Sequence, residues 1–229
     1  MSVTSTISTS EHPSQYRPTL RNRRCEVTNA RSWVWDRPIT FDEFLDLYLD
    51  RGEFVDLVDG AVVEKDMVQY DHGKREAWLV TVLRLYVNRL KIGTVLSSRI
   101  AMRVSEFRGR LPDIFFVRRE NESILQQRGV FGVPDVVIEI RSPSDRKAHL
   151  LALETDYRTL GVPEIAFIDL ARRQIRLLRK GENGYEEETL TDGALEFASI
   201  PGLALKLGWI FDEPRPDELD LLTSLFARQ

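Results

Sequence analysis

Glu139 is the residue of this 229-residue chain whose surroundings most need explaining. It stands between Ile138 and Ile140 in Val136-Val137-Ile138-Glu139-Ile140, a run that reads as a central strand. An acidic side chain there is expensive to bury unless it is paired or binds a cation. Arg141 lies two positions on, hence on the same face of a strand. Pro134-Asp135 leads into this run, and Pro112-Asp113 leads into Ile114-Phe115-Phe116-Val117. A carboxylate beside a cation at a strand end is first of all a salt bridge, which spacing alone favours. The same residues suit a phosphodiester-cleaving site, where carboxylates hold Mg²⁺ and a Lys or Arg offsets charge on the scissile phosphate.

The remaining polar candidates have plainer readings. Asp59 belongs to a hairpin turn, and Asp56 is either a hairpin residue or part of a site. His72 caps a helix, faces solvent or joins the site. Asp135, at a strand entrance, reads as structural, and Asp113 could equally bond its own backbone. Ser142 and Ser144 suit a turn and a helix cap better than a nucleophile, since neither has an assured histidine base. His149 reads as exposed and Tyr157 as a core residue.

The elements that must position these groups are legible in outline. Thr40 with Glu43 forms a capping box ahead of a short helix carrying Phe41, Phe44, Leu45, Leu47, Tyr48 and Leu49. Two β-rich runs flank Asp59-Gly60, the strongest short hairpin signal. Residues 73–91 carry too wide an apolar band for a surface helix, which predicts a largely buried one ending at Gly93. Strands are expected at 94–96, 100–104, 114–117 and 136–140. A helix over 145–160 follows, with Leu150, Leu153, Tyr157 and Leu160 on one face, then strands at 164–168, 174–179 and 186–190 and a helix over 217–227. This order implies an α/β or α+β fold with a mixed sheet flanked by helices.

Composition sets the remaining bounds. With 32 Lys+Arg against 36 Asp+Glu, the net charge is -4, which argues against a nucleic-acid coat protein but leaves nucleic acid open as a substrate. Residues 1–31 are rich in Ser, Thr and Arg and lack apolar periodicity, so they read as a flexible tail, with Arg21, Arg23 and Arg24 as a basic handle. Residues 32–229 are expected to form one domain. Cys25 is the sole cysteine, and His12, His72 and His149 are scattered, so neither a disulfide nor a Cys/His-rich zinc site is expected. No run reaches the length of a membrane span and no secretory signal opens the chain, so a cytoplasmic location is expected. Trp33, Trp35, Trp78 and Trp209 could anchor an interface or fill the core.

The stretch Val133-Pro-Asp-Val-Val-Ile-Glu-Ile-Arg-Ser-Pro-Ser-Asp145, followed by Tyr157 and Gly161-Val-Pro-Glu164, resembles a restriction-endonuclease family of the PD-(D/E)XK nuclease superfamily. Val55-Asp-Leu-Val-Asp-Gly60, His72 heading a long helix, Leu111-Pro-Asp113 and Ile200-Pro-Gly202 match in the same order. The resemblance spans about residues 38–212.

It implies a restriction-endonuclease-like fold and a Mg²⁺- or Mn²⁺-dependent endonuclease acting on DNA, commonly as a homodimer. Carried over residue by residue, Asp113 and Glu139 match the metal-binding carboxylates, aided by the backbone carbonyl of Ile140. Arg141 falls at the lysine position of E-X-K. His72 matches a histidine heading the long helix, and Asp56 stands where the family usually has Glu. The family's migrated helix lysine corresponds to position 153, where this chain has leucine, leaving Lys147 more than a turn earlier. An arginine cannot accept a proton at neutral pH, so Arg141 could stabilise charge but not act as a base. The departures at 56 and 153 also admit a nuclease-fold protein without turnover, acting as a DNA-binding or protein-interaction module.

Overall fold

A computed structural model describes residues 21–24, 31–34, 37–48, 54–65, 69–97, 100–141, 145 and 147–227. Strands β1 (Arg21–Arg24) and β2 (Arg31–Val34) pair antiparallel, so β1 is ordered structure inside the stretch read as a tail. Helix α1 (Phe41–Tyr48) starts on the capping box: the Thr40 amide donates to Glu43 at 2.8 Å and the Glu43 amide to Thr40 Oγ1 at 3.3 Å. Strands β3 (Val55–Val58) and β4 (Ala61–Glu64) are joined by Asp59 and Gly60, both at positive φ, 49° and 73°. A Cβ at Gly60 would lie 2.3 Å from that of Pro38, so the turn needs glycine for space as well as conformation.

Helix α2 (Tyr70–Leu90) starts three residues earlier than its apolar pattern suggested. It closes on Lys91, left-handed at φ 56°, rather than at Gly93, whose backbone is extended. His72, Leu79, Leu83 and Tyr86 share its buried stripe, so the packing that buries the leucines also turns the histidine inward. Strands β5 (Gly93–Ser97), β6 (Met102–Ser105), β7 (Arg108–Arg110) and β8 (Ile114–Arg118) follow. After a 3₁₀ turn come β9 (Leu125–Gln126), β10 (Gly129–Val130) and β11 (Val136–Arg141).

Helix α3 (Lys147–Leu160) is the crossover between β11 and its parallel neighbour β12 (Glu164–Asp169). The chain then runs through β13 (Gln174–Gly181), β14 (Gly184–Leu190), β15 (Ala194–Glu196) and β16 (Ala204–Lys206) to α4 (Leu207–Phe211) and α5 (Glu218–Phe226). The six-stranded sheet has the order β14-β13-β12-β11-β8-β5, all antiparallel except β11 with β12. A second sheet of shorter strands contains the β3–β4 hairpin, β7 and β6. The expected mixed sheet flanked by helices is what the chain forms. Among the described residues no helix is long and apolar enough to cross a membrane.

The two faces of β11 decide where its acid points. Val136, Ile138 and Ile140 pack in the core formed with α2, whereas Val137 packs with Leu153 and Tyr157 of α3. Glu139, two residues from Val137, therefore faces α3. Of the tryptophans, Trp78 is a core residue whose indole donates to the Pro216 carbonyl at 3.1 Å.

Candidate functional site

The antiparallel ladder between β8 and β11 stops at Ile114 opposite Ile138. Beyond it, the Ile140 amide is taken by Asp113, whose Oδ2 accepts it at 2.8 Å. The Ile140 amide lies past the last ladder pair, so a side-chain acceptor closes the sheet edge there. This bond fixes the Asp113 carboxylate against the strand that carries Glu139, and both acids are buried. His72 Nε2 lies 3.5 Å from the same Asp113 oxygen and 3.8 Å from Glu76 Oε2. His72 of α2 and Asp113, the residue before β8, thus meet beside the end of β11 that carries Glu139.

Glu139 is oriented from the helix side, where the Tyr157 hydroxyl donates to its Oε1. Tyr157 is a core residue as its spacing suggested, but its polar end reaches the site. Burial, and then the charge on Asp113, hold the Glu139 carboxyl well above its ordinary value of 4.5, despite Lys65 and Tyr157. Burial, then the Glu139 carboxylate, likewise raises the Tyr157 phenol.

The folded chain therefore holds the Glu139 proton more tightly than the unfolded chain does. That contribution to stability is complete below about pH 4.5 and is lost as pH rises through the raised value. Glu139→Gln is accordingly expected to melt above the parent at pH 8 in the presence of a chelator. The gain should be about 1 kcal/mol, or roughly 2–4 °C, and should vanish near pH 4. Paired melting curves at the two pH values check this, and a lower melting point at pH 8 would contradict it.

Asp56 sits in a different arrangement. Its Oδ2 accepts from Arg110 at 2.9 Å and its Oδ1 from the Leu111 amide at 3.1 Å. Burial would raise its carboxyl, but Arg110 and Lys65 hold it below the ordinary value. Arg110 also donates to Asp156 of α3 at 2.7 Å, locking the hairpin, β7 and α3 together beneath the site. Arg141 is held by Asp169, the residue opposite it on β12, at 2.7 Å. Lys147 is exposed at the first residue of α3, and Leu153 is buried in the core. Asp135 accepts from the Arg118 amide at 2.7 Å and from Asn121, a structural tie. Ser142 and Ser144 lie outside the described residues.

One further group escaped the sequence reading, and one was misplaced by it. Lys65, the residue after β4, donates from its ammonium to the Leu111 carbonyl at 2.6 Å. His149 is partly buried rather than exposed, and its Nδ1 is buried with no hydrogen-bond partner among the described residues. Burial, outweighing Asp56, lowers the pKa of that imidazole. A lysine at the end of an alternating strand and a histidine early in a helix carry no periodicity signal that separates them from surface residues.

A match to the family described as "Putative restriction endonuclease" (Uma2) covers residues 41–209. The chain belongs to that family. The match spans the β3–β4 hairpin, α2, both acid-bearing strands and α3. A crystal structure described as "a putative nuclease belonging to DUF820" from Anabaena variabilis is similar to this Uma2 chain with a TM-score of 0.64. The two are 21% identical, and the match covers 76% of this chain and 98% of the other, so the likeness is one of fold. No curated protein matches the chain in sequence.

Uma2 membership agrees with the restriction-endonuclease-like fold and makes a cation at the paired acids the question to ask. Among the described residues no three His, Cys, Asp or Glu side chains converge as a metal cage. Mg²⁺ does not need one, because it keeps several waters and takes one or two carboxylates plus substrate phosphate. Asp113, whose carboxylate is bonded to the Ile140 amide, and Glu139, the residue before it, are two buried hard oxygen donors at one strand end and fit that requirement.

Proposed function

We propose that this chain is a Mg²⁺- or Mn²⁺-dependent endonuclease that hydrolyses DNA phosphodiester bonds, with Asp113, Glu139 and the Ile140 carbonyl as the metal-binding set. The observation that carries the reading is the pair of buried acids on β11 and at the entrance to β8, each held by a bond to its surroundings, within a chain of this family. A divalent cation there supplies charge neutralisation at the phosphate and acidifies an attacking water.

The protein's own groups do the positioning. The Ile140 amide stops Asp113 from rotating, and Tyr157 does the same for Glu139. His72, beside Asp113, orients water or phosphate at the α2 end of the site. Asp56 fixes the Leu111 backbone that leads to Asp113, an indirect role. Lys147 at the exposed head of α3 and Arg141 beside Asp169 are the cations by which β11 and α3 would approach the phosphate backbone. Incubation of supercoiled plasmid with the purified chain and Mg²⁺ or Mn²⁺ is expected to give nicked and linear products, and a chelator is expected to stop it. An intact plasmid under every divalent metal would count against the reading.

A second reading, a DNA-binding or protein-interaction module without turnover, is favoured by two observations: Leu153 is buried where the helix lysine would stand, and Arg141 is engaged by Asp169. It expects salt-dependent DNA binding with no cleavage.

A further inference from the structure

The cations that β11 and α3 offer do not enter the carboxylate cluster. Arg141 turns to Asp169, and Lys147 is exposed. Lys65 approaches the cluster from a third element. The β3–β4 hairpin pairs Asp56 with Val63 and Val55 with Glu64, and the Lys65 amide continues the pairing by donating to the Phe54 carbonyl at 2.9 Å. Lys65 is therefore on the same face as Val63 and, across the hairpin, Asp56. Its ammonium donates to the Leu111 carbonyl at 2.6 Å while Asp56 accepts the Leu111 amide at 3.1 Å. Both backbone polar groups of Leu111, two residues before Asp113, are thus bound by this one hairpin.

We propose that Lys65 is the resident cation of this nuclease site, delivered by the β3–β4 hairpin in place of the absent E-X-K and helix lysines, and that its ammonium contacts a non-bridging oxygen of the scissile phosphate. It stays protonated throughout and transfers no proton; it offsets charge. The contact with phosphate rests on the nuclease reading, whereas residence among the acids does not. The acids around Lys65 support this, since Asp56, Glu139 and Asp113 together raise the pKa of its ammonium against the opposing effect of burial. An ammonium held among carboxylates also opposes entry of a second cation, which gives a readout independent of turnover.

The test uses the full chain and its K65M and K65R variants, with K65Q as a second neutral variant should K65M not fold. Mn²⁺ is titrated calorimetrically without DNA, and plasmid cleavage is measured with Mg²⁺. The neutral variant is expected to bind Mn²⁺ about tenfold or more tightly than the parent, because a repelling charge is gone. Its cleavage should fall by roughly 10²–10³-fold, the scale of one lost charge-stabilising contact. K65R should keep the parent's Mn²⁺ affinity and part of its cleavage. A neutral variant that binds Mn²⁺ as the parent does, or that cleaves at the rate of a parent that does cleave DNA, overturns the proposal, as does Mn²⁺ binding by neither protein. A parent that cleaves no DNA while the neutral variant binds Mn²⁺ more tightly overturns the nuclease reading alone and supports Lys65 as the cation of the cluster.

Discussion

Arg110→Met is expected to destabilise the fold by about 3–5 kcal/mol, the usual effect of removing one partner from a buried ionic cluster. Arg110 is 1% exposed and bridges Asp56 and Asp156, which are 2% exposed each. Its guanidinium reaches Asp156 at 2.7 Å and Asp56 at 2.9 Å. Methionine fills the volume but leaves two buried carboxylates facing each other. Arg108 also reaches Asp156, so it compensates on that side only. For a chain of this size the loss corresponds to a melting point lower by roughly 6–20 °C. Neutralising the acids as well, in the Asp56→Asn, Asp156→Asn, Arg110→Met triple variant, should recover much of it, because the penalty lies in the unpaired charges. Urea unfolding of the single and triple variants checks both statements, and a single-variant loss below about 1 kcal/mol would contradict them.

Asp113→Asn separates chemistry from folding. Asparagine Oδ1 can still accept the Ile140 amide, so the edge of β11 stays closed. The negative charge is lost, and with it one of the causes that hold the Glu139 carboxyl high. The variant is therefore expected to melt no lower than the parent at neutral pH, while DNA cleavage falls by on the order of 10³-fold or more, because several kcal/mol of transition-state stabilisation depart with the ion. Cleavage at the parent's rate by folded Asp113→Asn would remove Asp113 from the metal set.

How much of this was legible in the sequence follows from the range of each interaction. Glu139 stood out because an acid inside an apolar strand breaks a local pattern, and Asp59-Gly60 and the Thr40/Glu43 box are local signals as well. The Arg110 bonds to Asp56 and Asp156 span 54 and 46 residues, so no window of sequence contains them. Tyr157 presented only its apolar spacing, while its hydroxyl finds Glu139 18 residues away through the crossover that brings α3 over β11. Lys65 reaches Leu111 across 46 residues. Strands of two or three residues such as β7, β9 and β10 are too short to show a period of two, so of the second sheet only the hairpin and the run at 100–104 that forms β6 were visible.

The most direct measurement of the central claim is a calorimetric titration of Mn²⁺ into the purified chain beside its Asp113→Ala and Glu139→Ala variants, repeated with a short uncleavable DNA duplex present so that phosphate can complete the coordination. The parent is expected to bind an ion and both variants to lose it. Retention of the parent's binding in both variants would contradict it.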